Sequence, residues 1–143
     1  MNPTSKILDS ATRTFQMERD AIGALIPLLN SDFEAAVTAI YQASGRVVIT
    51  GIGKSAIIAN KIVATLNSTG TPAIFMHAAD AIHGDLGNIQ DGDAVICISK
   101  SGNTPEIKVL VPLLKRGNNP LIAITGNTSS FLAQQAHFVL NTT

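Results

Sequence analysis

The residues best equipped for chemistry in this chain gather in short, glycine-punctuated segments. The richest is Ser99-Lys100-Ser101-Gly102-Asn103-Thr104-Pro105-Glu106. It sets hydroxyl side chains around a glycine turn, directly before a proline that suits the first turn of a helix. Hydroxyl donors and the open N–H groups of a helix start can cradle a phosphate dianion without arginine. An ordinary helix cap needs a single hydroxyl. Ser99, Ser101 and Thr104 supply more than that, which favours an anion, with Gly102 and Asn103 completing the loop. Glu106 reads two ways: a site acid, or a first-turn acid that complements the helix dipole.

A second segment is Thr50-Gly51-Ile52-Gly53-Lys54-Ser55-Ala56. Its glycines let the backbone turn tightly and approach a ligand, Lys54 adds a full charge, and Ser55 adds a donor. A phosphate-binding loop of the Walker type would need glycine where Val48 stands, so that reading fails. The dinucleotide pattern G-x-G-x-x-G/A is met by Gly51, Gly53 and Ala56. The following apolar run, however, ends in Met76-His77 rather than in an acid for a ribose, so the match is weak. A third segment, His83-Gly84-Asp85-Leu86-Gly87, offers an imidazole beside a carboxylate. His83 is a candidate site residue, whereas His77 and His137, at strand ends, read as structural. No tight ligand spacing such as H-x-x-x-H marks a metal site. Cys97, flanked by Ile96 and Ile98, reads as an inert core thiol.

The elements that position these segments follow from periodicity. From Thr4 to Asn30, Leu8, Ala11, Phe15, Ile22, Leu25 and Leu29 recur at helical steps, with Glu18 interrupting the stripe. The spacing predicts one helix, packed either on its own domain or across a subunit interface. Ser31-Asp32 caps a second helix, from Phe33 to Gln42, which Ser44-Gly45 stops. Short β-branched runs then alternate with helical stretches. The predicted strands are 46–50, 73–76, 94–98, 121–125 and 138–140, and the predicted helices are 54–67, 105–115 and 129–135, with a short piece near Asp80-Ala81-Ile82. Continuous apolar strands alternating with helices predict a parallel sheet covered on both faces. The fold class is therefore α/β, a three-layer αβα sandwich with a five-stranded parallel sheet of the flavodoxin-like kind. It forms a single domain over 1–143, with N-terminal helices over 4–43 and an α/β core over 45–143. Ligands of such sheets sit beyond the carboxyl ends of the strands, where all three segments fall.

Composition agrees. The 143 residues are 45% hydrophobic and 14% charged with formal net charge +0, enough to bury one core. No basic surplus points to nucleic acid or an anionic membrane. No run reaches the roughly 20 apolar residues of a membrane span, and no signal-peptide core is present. One cysteine excludes an internal disulfide and suits a reducing compartment. The expectation is a soluble, cytoplasmic protein.

On Thr50 to Ser55, Ser68-Thr69-Gly70-Thr71-Pro72, His83 to Gly87, Ser99 to Glu106 and Ile122 to Gly126, the sequence resembles the SIS domain of bacterial arabinose 5-phosphate isomerases. The Ser-x-Ser-Gly-x-Thr pattern alone says only SIS domain; the lysine loop with His-Gly-Asp-Leu-Gly points to this isomerase. The resemblance implies metal-independent interconversion of D-ribulose 5-phosphate and D-arabinose 5-phosphate through an enediol, in Kdo and lipopolysaccharide synthesis, with no cofactor. By motif, Ser55, Ser99, Ser101 and Thr104 would hold the phosphate, with Gly53, Gly102, Asn103 and His83 as further binding positions. Lys54 would stabilise charge on the sugar oxygens, and Glu106 would match an acidic residue implicated in the family's catalytic site. His83, at the mouth, could meet an inhibitory transition metal. The resemblance also implies a homo-oligomer, a tetramer, with the N-terminal helix at its interface. The family's Glu-Ala-Cys-Pro segment, long helix, catalytic histidine and CBS domains have no counterpart here, so the chain reads as truncated. A non-catalytic module for a phosphosugar or nucleotide sugar, and an isomerase of hexulose or heptulose phosphates, stay open beside this reading.

Overall fold

The computed structural model describes residues 3–143 of the chain. Its elements are α1 (Pro3–Gly23), α2 (Ser31–Gln42), β1 (Val47–Gly51), α3 (Lys54–Ser68), β2 (Ala73–His77), α4 (Ala78–Ala81), β3 (Ala94–Ile98), α5 (Pro105–Leu114), β4 (Leu121–Thr125), α6 (Phe131–Gln135) and β5 (Phe138–Asn141), with short 3-10 turns at Ile26–Leu28 and Asp85–Asn88. All five strands pair in parallel in the order β2-β1-β3-β4-β5. Chain order reverses across β1, so the switch point of this doubly wound sheet lies between the carboxyl ends of β1 and β3.

Strand residues alternate between two cores, one on each face of the sheet. Val48, Val95, Cys97, Leu121 and Ala123 face α4, α5 and α6, meeting Ala78, Ala81, Ile107, Leu110 and Leu132. Val47, Ile49, Ile96, Ile98 and Ile122 face α2 and α3, meeting Ala36 and Ala59. Both faces are apolar because both are covered, which is why β1 and β3 are continuous β-branched and apolar runs rather than alternating ones.

The amino edge of the sheet is tied by side chains. The Asp93 carboxylate, 1% exposed, accepts the Arg46 N–H at 2.6 Å and the Gln90 N–H at 2.8 Å, with the Arg46 guanidinium at 3.5 Å. The Asn119 amide donates to the Gln90 and Asp93 carbonyls at 2.9 and 2.8 Å. Asn30 caps α2, and Asp32 in its first turn accepts the Val139 N–H at 2.9 Å, joining α2 to β5.

One predicted element differs. The first helix does not reach Asn30 but ends at Gly23, followed by the 3-10 turn over Ile26–Leu28. Pro27 has no N–H to donate to the carbonyl of Gly23, and glycine is itself a poor helix residue. The helix also leaves its apolar stripe open, with Leu8, Phe15 and Ile22 at 64%, 72% and 69% exposure. It is not packed on its own domain. No helix among the described residues is long and apolar enough to cross a membrane.

Candidate functional site

The loops after β1 and β3 meet at the switch point, because Gly51 pairs in register with Ile98. Gly51 has little room for a side chain. A Cβ there would sit 3.2 Å from the Ile98 carbonyl oxygen and 3.1 Å from the Ser55 backbone carbon. Beyond it Gly53, at φ 58°, turns the chain into α3 without giving that helix a side-chain cap. On the β3 side, the Ser99 N–H donates to the Ile124 carbonyl at 3.0 Å. The Ser99 hydroxyl, nearly buried, accepts the Gly102 N–H at 3.1 Å. The Ser101 hydroxyl takes the Asn103 N–H at 3.4 Å.

Between the loops opens a cleft of about 450 Å³, lined by Ile52 and Ser55 on one side and by Ser99, Lys100, Ser101, Thr104 and Gly126 on the other. The walls are hydroxyls, a lysine and apolar stems, with no carboxylate or imidazole among them. A slightly larger cleft of about 490 Å³ lies at the opposite, amino edge, beside Gln42, Ser44, Asp91, Asp93 and Asn119. There Asp93 and Asn119 already hold backbone partners, so that cleft presents no unused buried polar group.

At the switch-point cleft the situation is reversed. Helix α2 is capped by Asn30, α4 by His77 Nδ1 and α6 by Ser130, whose hydroxyl accepts the Ala133 N–H at 3.3 Å. The helices whose N-termini reach this cleft, α3 and α5, have no side-chain cap. In the first turns the Ala56 N–H donates to the Gly53 carbonyl at 3.1 Å and Pro105 has none, while the N–H groups of Lys54, Ser55, Glu106 and Ile107 have no partner in the protein, at the positive ends of the dipoles. Thr104, at the cap position of α5, keeps its hydroxyl oxygen buried and without a hydrogen-bond partner. The other buried hydroxyl of this kind among the described residues is Thr50 Oγ1, at the carboxyl end of β1. Buried polar groups are almost always paired, so unpaired ones in a cleft wall point to a ligand that completes them.

The residues singled out by sequence divide into two sets. Ser55, Ser99, Ser101 and Thr104 line the common cleft. Gly53, Lys54, Glu106, His83, Gly102 and Asn103 stand outside its lining. Lys54 and Glu106 occupy the first turns of α3 and α5, Lys54 exposed and Glu106 half-buried. His83 is exposed in the turn after α4, and among the described residues no cluster of three acidic, histidine or cysteine side chains could hold a metal ion. Gly102 and Asn103 tie the loop to α6. The Gly102 N–H is spent on Ser99, its carbonyl accepts the Leu132 N–H at 3.1 Å, and the Asn103 amide oxygen accepts the Phe131 N–H at 2.9 Å. At φ 62°, with Ser130 packed where a Cβ would be, Gly102 shapes the loop. The Gly102 and Asn103 N–H groups point to the Ser99 and Ser101 hydroxyls of the same loop.

Sequence reasoning missed Lys100, Ile52 and Gly126, which line the cleft. The signal for Lys100 was its place between two serines of the loop. Cys97 is the inert core thiol expected, with burial pushing it up to about 12.

Residues 39–143 match the SIS domain family. The chain is 45% identical over 141 residues to the arabinose 5-phosphate isomerase KdsD of Pseudomonas aeruginosa, and 40% identical over 136 residues to that of Escherichia coli. These alignments cover 99% and 95% of the chain but 43% and 42% of the relatives, so the chain spans less than half of their length. Among solved structures, an E. coli protein in complex with arabinose 5-phosphate superposes with TM-score 0.91 at 38% identity, over 99% of this chain and 75% of that one. The sugar isomerase domain of an RpiR transcription factor from Sphaerobacter thermophilus superposes with TM-score 0.77 at 25% identity, over 92% of this chain and 74% of that one.

Proposed function

The chain belongs to the SIS domain family, and from that premise we propose that it binds a pentose phosphate at the switch-point cleft and serves the interconversion of arabinose 5-phosphate and ribulose 5-phosphate. The observation that carries this reading is the convergence of uncapped α3 and α5 on one cleft whose wall holds the unpartnered Thr104 hydroxyl. Ser55, Ser99, Ser101 and Thr104 donate to the phosphate, and its binding energy holds the sugar while the reacting carbons change. The identity to arabinose 5-phosphate isomerases supports this choice of sugar.

The chemistry moves one proton between adjacent carbons. A base removes the C2 proton of the aldose, the electrons pass toward the C1 carbonyl oxygen, and the resulting enediol is reprotonated at C1 as the C2 hydroxyl becomes the ketone. In this reading Glu106 is the base and Lys54 stabilises the oxyanion, both reaching in from first helical turns beside the phosphate hydroxyls. Gly53 sets the start of α3, and His83 stands at the mouth, where a transition metal would inhibit. No cofactor enters.

A second reading is a module that binds the phosphosugar without turning it over. It is favoured by a cleft lining with neither carboxylate nor imidazole. The experiment that separates them is a coupled assay of the purified chain on arabinose 5-phosphate, with thermal unfolding measured in parallel. Turnover abolished by Glu106→Gln supports the isomerase. Protection from unfolding without turnover leaves the binding module, and the absence of both turnover and protection would defeat both readings.

The same reading assigns the exposed α1 stripe of Leu8, Phe15 and Ile22 to an interface between copies of the chain, within a homo-oligomer in the cytoplasm. Light scattering that finds only monomer at high concentration would remove it.

A further inference from the structure

Lys100 is the one charged side chain lining the switch-point cleft. We propose that Lys100, rather than Lys54, is the cation that meets the ligand's phosphate, leaving Lys54 to the sugar end; this rests on the phosphosugar reading above. The backbone of Lys100 is held by the end of β4 and the loop after it. Its carbonyl accepts the Gly126 N–H at 3.0 Å and the Thr125 hydroxyl at 3.2 Å. Its stem runs beside the loop after β4, with Cγ 3.5 Å from where a Gly126 Cβ would stand. It lies between Ser99 and Ser101, so the charge starts from within the hydroxyl loop. The ion pairs among the described residues join Arg19 to Asp20, Arg46 to Asp93 and His77 to Asp80, and Lys100 enters none of them.

Charge matching supports the assignment. Each open helix N-terminus presents roughly half a unit of positive charge, and a phosphate ester carries about −1.5 to −2 near neutral pH. The ends of α3 and α5 with one lysine come close to neutralising it. A second lysine on the same group would overshoot, which frees Lys54, exposed at the start of α3 and outside the cleft lining, to meet charge that develops on the sugar oxygens.

The test compares Lys100→Met with Lys54→Met, using inorganic phosphate and arabinose 5-phosphate as separate probes in calorimetric titrations. Lys100→Met should weaken both probes by the same factor, about tenfold or more for one charge-assisted bond, and Lys100→Arg should restore most of the loss. Lys54→Met should leave inorganic phosphate unchanged and weaken only the phosphosugar. The unfolding midpoint without ligand should stay at its wild-type value in each, since both side chains are exposed. Wild-type phosphate affinity in Lys100→Met, or an equal loss in Lys54→Met, would overturn the assignment. Wild-type chain that binds phosphate but not arabinose 5-phosphate overturns the phosphosugar reading alone, because the lysines are then still ranked by phosphate. Wild-type chain that binds neither overturns both.

Discussion

Replacing Gly102 by alanine should be among the most damaging single-methyl changes this chain can receive. The position is buried, at φ 62°, and a Cβ built there would overlap Ser130 Oγ and lie 2.5 Å from Ser130 Cβ and 3.2 Å from Thr125 Oγ1. The left-handed backbone costs alanine about 1–2 kcal/mol. Forcing a methyl against a fixed neighbour in a packed interior costs about 1–3 kcal/mol more. The expected loss is therefore about 2–5 kcal/mol, against a typical total of about 5–15 kcal/mol for a domain. Urea unfolding followed by circular dichroism would read it directly as a lower midpoint at unchanged slope. The reasoning has an internal control. Ser130→Gly removes the clashing atoms and costs little as a cap, since glycine is nearly as good there. The pair Gly102→Ala with Ser130→Gly should recover about 1–3 kcal/mol relative to additivity, leaving the backbone strain behind. A loss under about 1 kcal/mol for Gly102→Ala, or strict additivity in the pair, would refute the argument.

Thr104→Val removes a buried hydroxyl that has no partner in the protein. Thermal unfolding without ligand should therefore show stability held or raised by about 1 kcal/mol, while phosphosugar affinity falls about tenfold; a destabilised chain with unchanged affinity would contradict the role given to that hydroxyl. For Cys97, the unfolded thiol ionises near 9.0 but burial pushes the folded one up to about 12. Between those values the folded chain holds the extra proton, so stability should fall as pH rises through that window. Native chain at pH 8 should also resist disulfide reagents until it unfolds, and rapid labelling under native conditions would show that the thiol is not enclosed.

The sheet was legible because its signal is local. Strands covered on both faces announce themselves as runs such as Val47 to Ile49 and Ala94 to Ile98, and the predicted limits of β3 and β4 coincide with the structure. The first helix was overextended because Leu25 and Leu29 keep the stripe's period past Gly23, where Pro27 removes the donor needed to continue it. In the site, residue types showed which loops hold hydroxyls, but not what those hydroxyls already bind. Ser99 and Ser101 take the N–H groups of Gly102 and Asn103, an arrangement set by loop geometry that no spacing rule reports. Asn103 turns toward Phe131, 28 positions along the chain, for the same reason. Lys100 went unnoticed because an exposed lysine in a loop looks like any other until Ile52 and Ser55 are seen to close the opposite wall.

The contrast between the two edges of the sheet has an evolutionary consequence. At the amino edge the Asp93 and Asn119 side chains hold backbone groups of Arg46, Gln90 and Asp93, so a change at Asp93 or Asn119 strands those groups. At the carboxyl edge Thr50 and Thr104 are unmatched, and Ser101 and Lys100 stand exposed on loops. Selection on folding therefore weighs on the polar side chains of the amino rim, and at the carboxyl rim on Gly51 and Gly102 rather than on the hydroxyls and Lys100. Lineages that share this scaffold can exchange the side chains above β1 and β3, and with them the ligand, while inheriting the foundation unaltered.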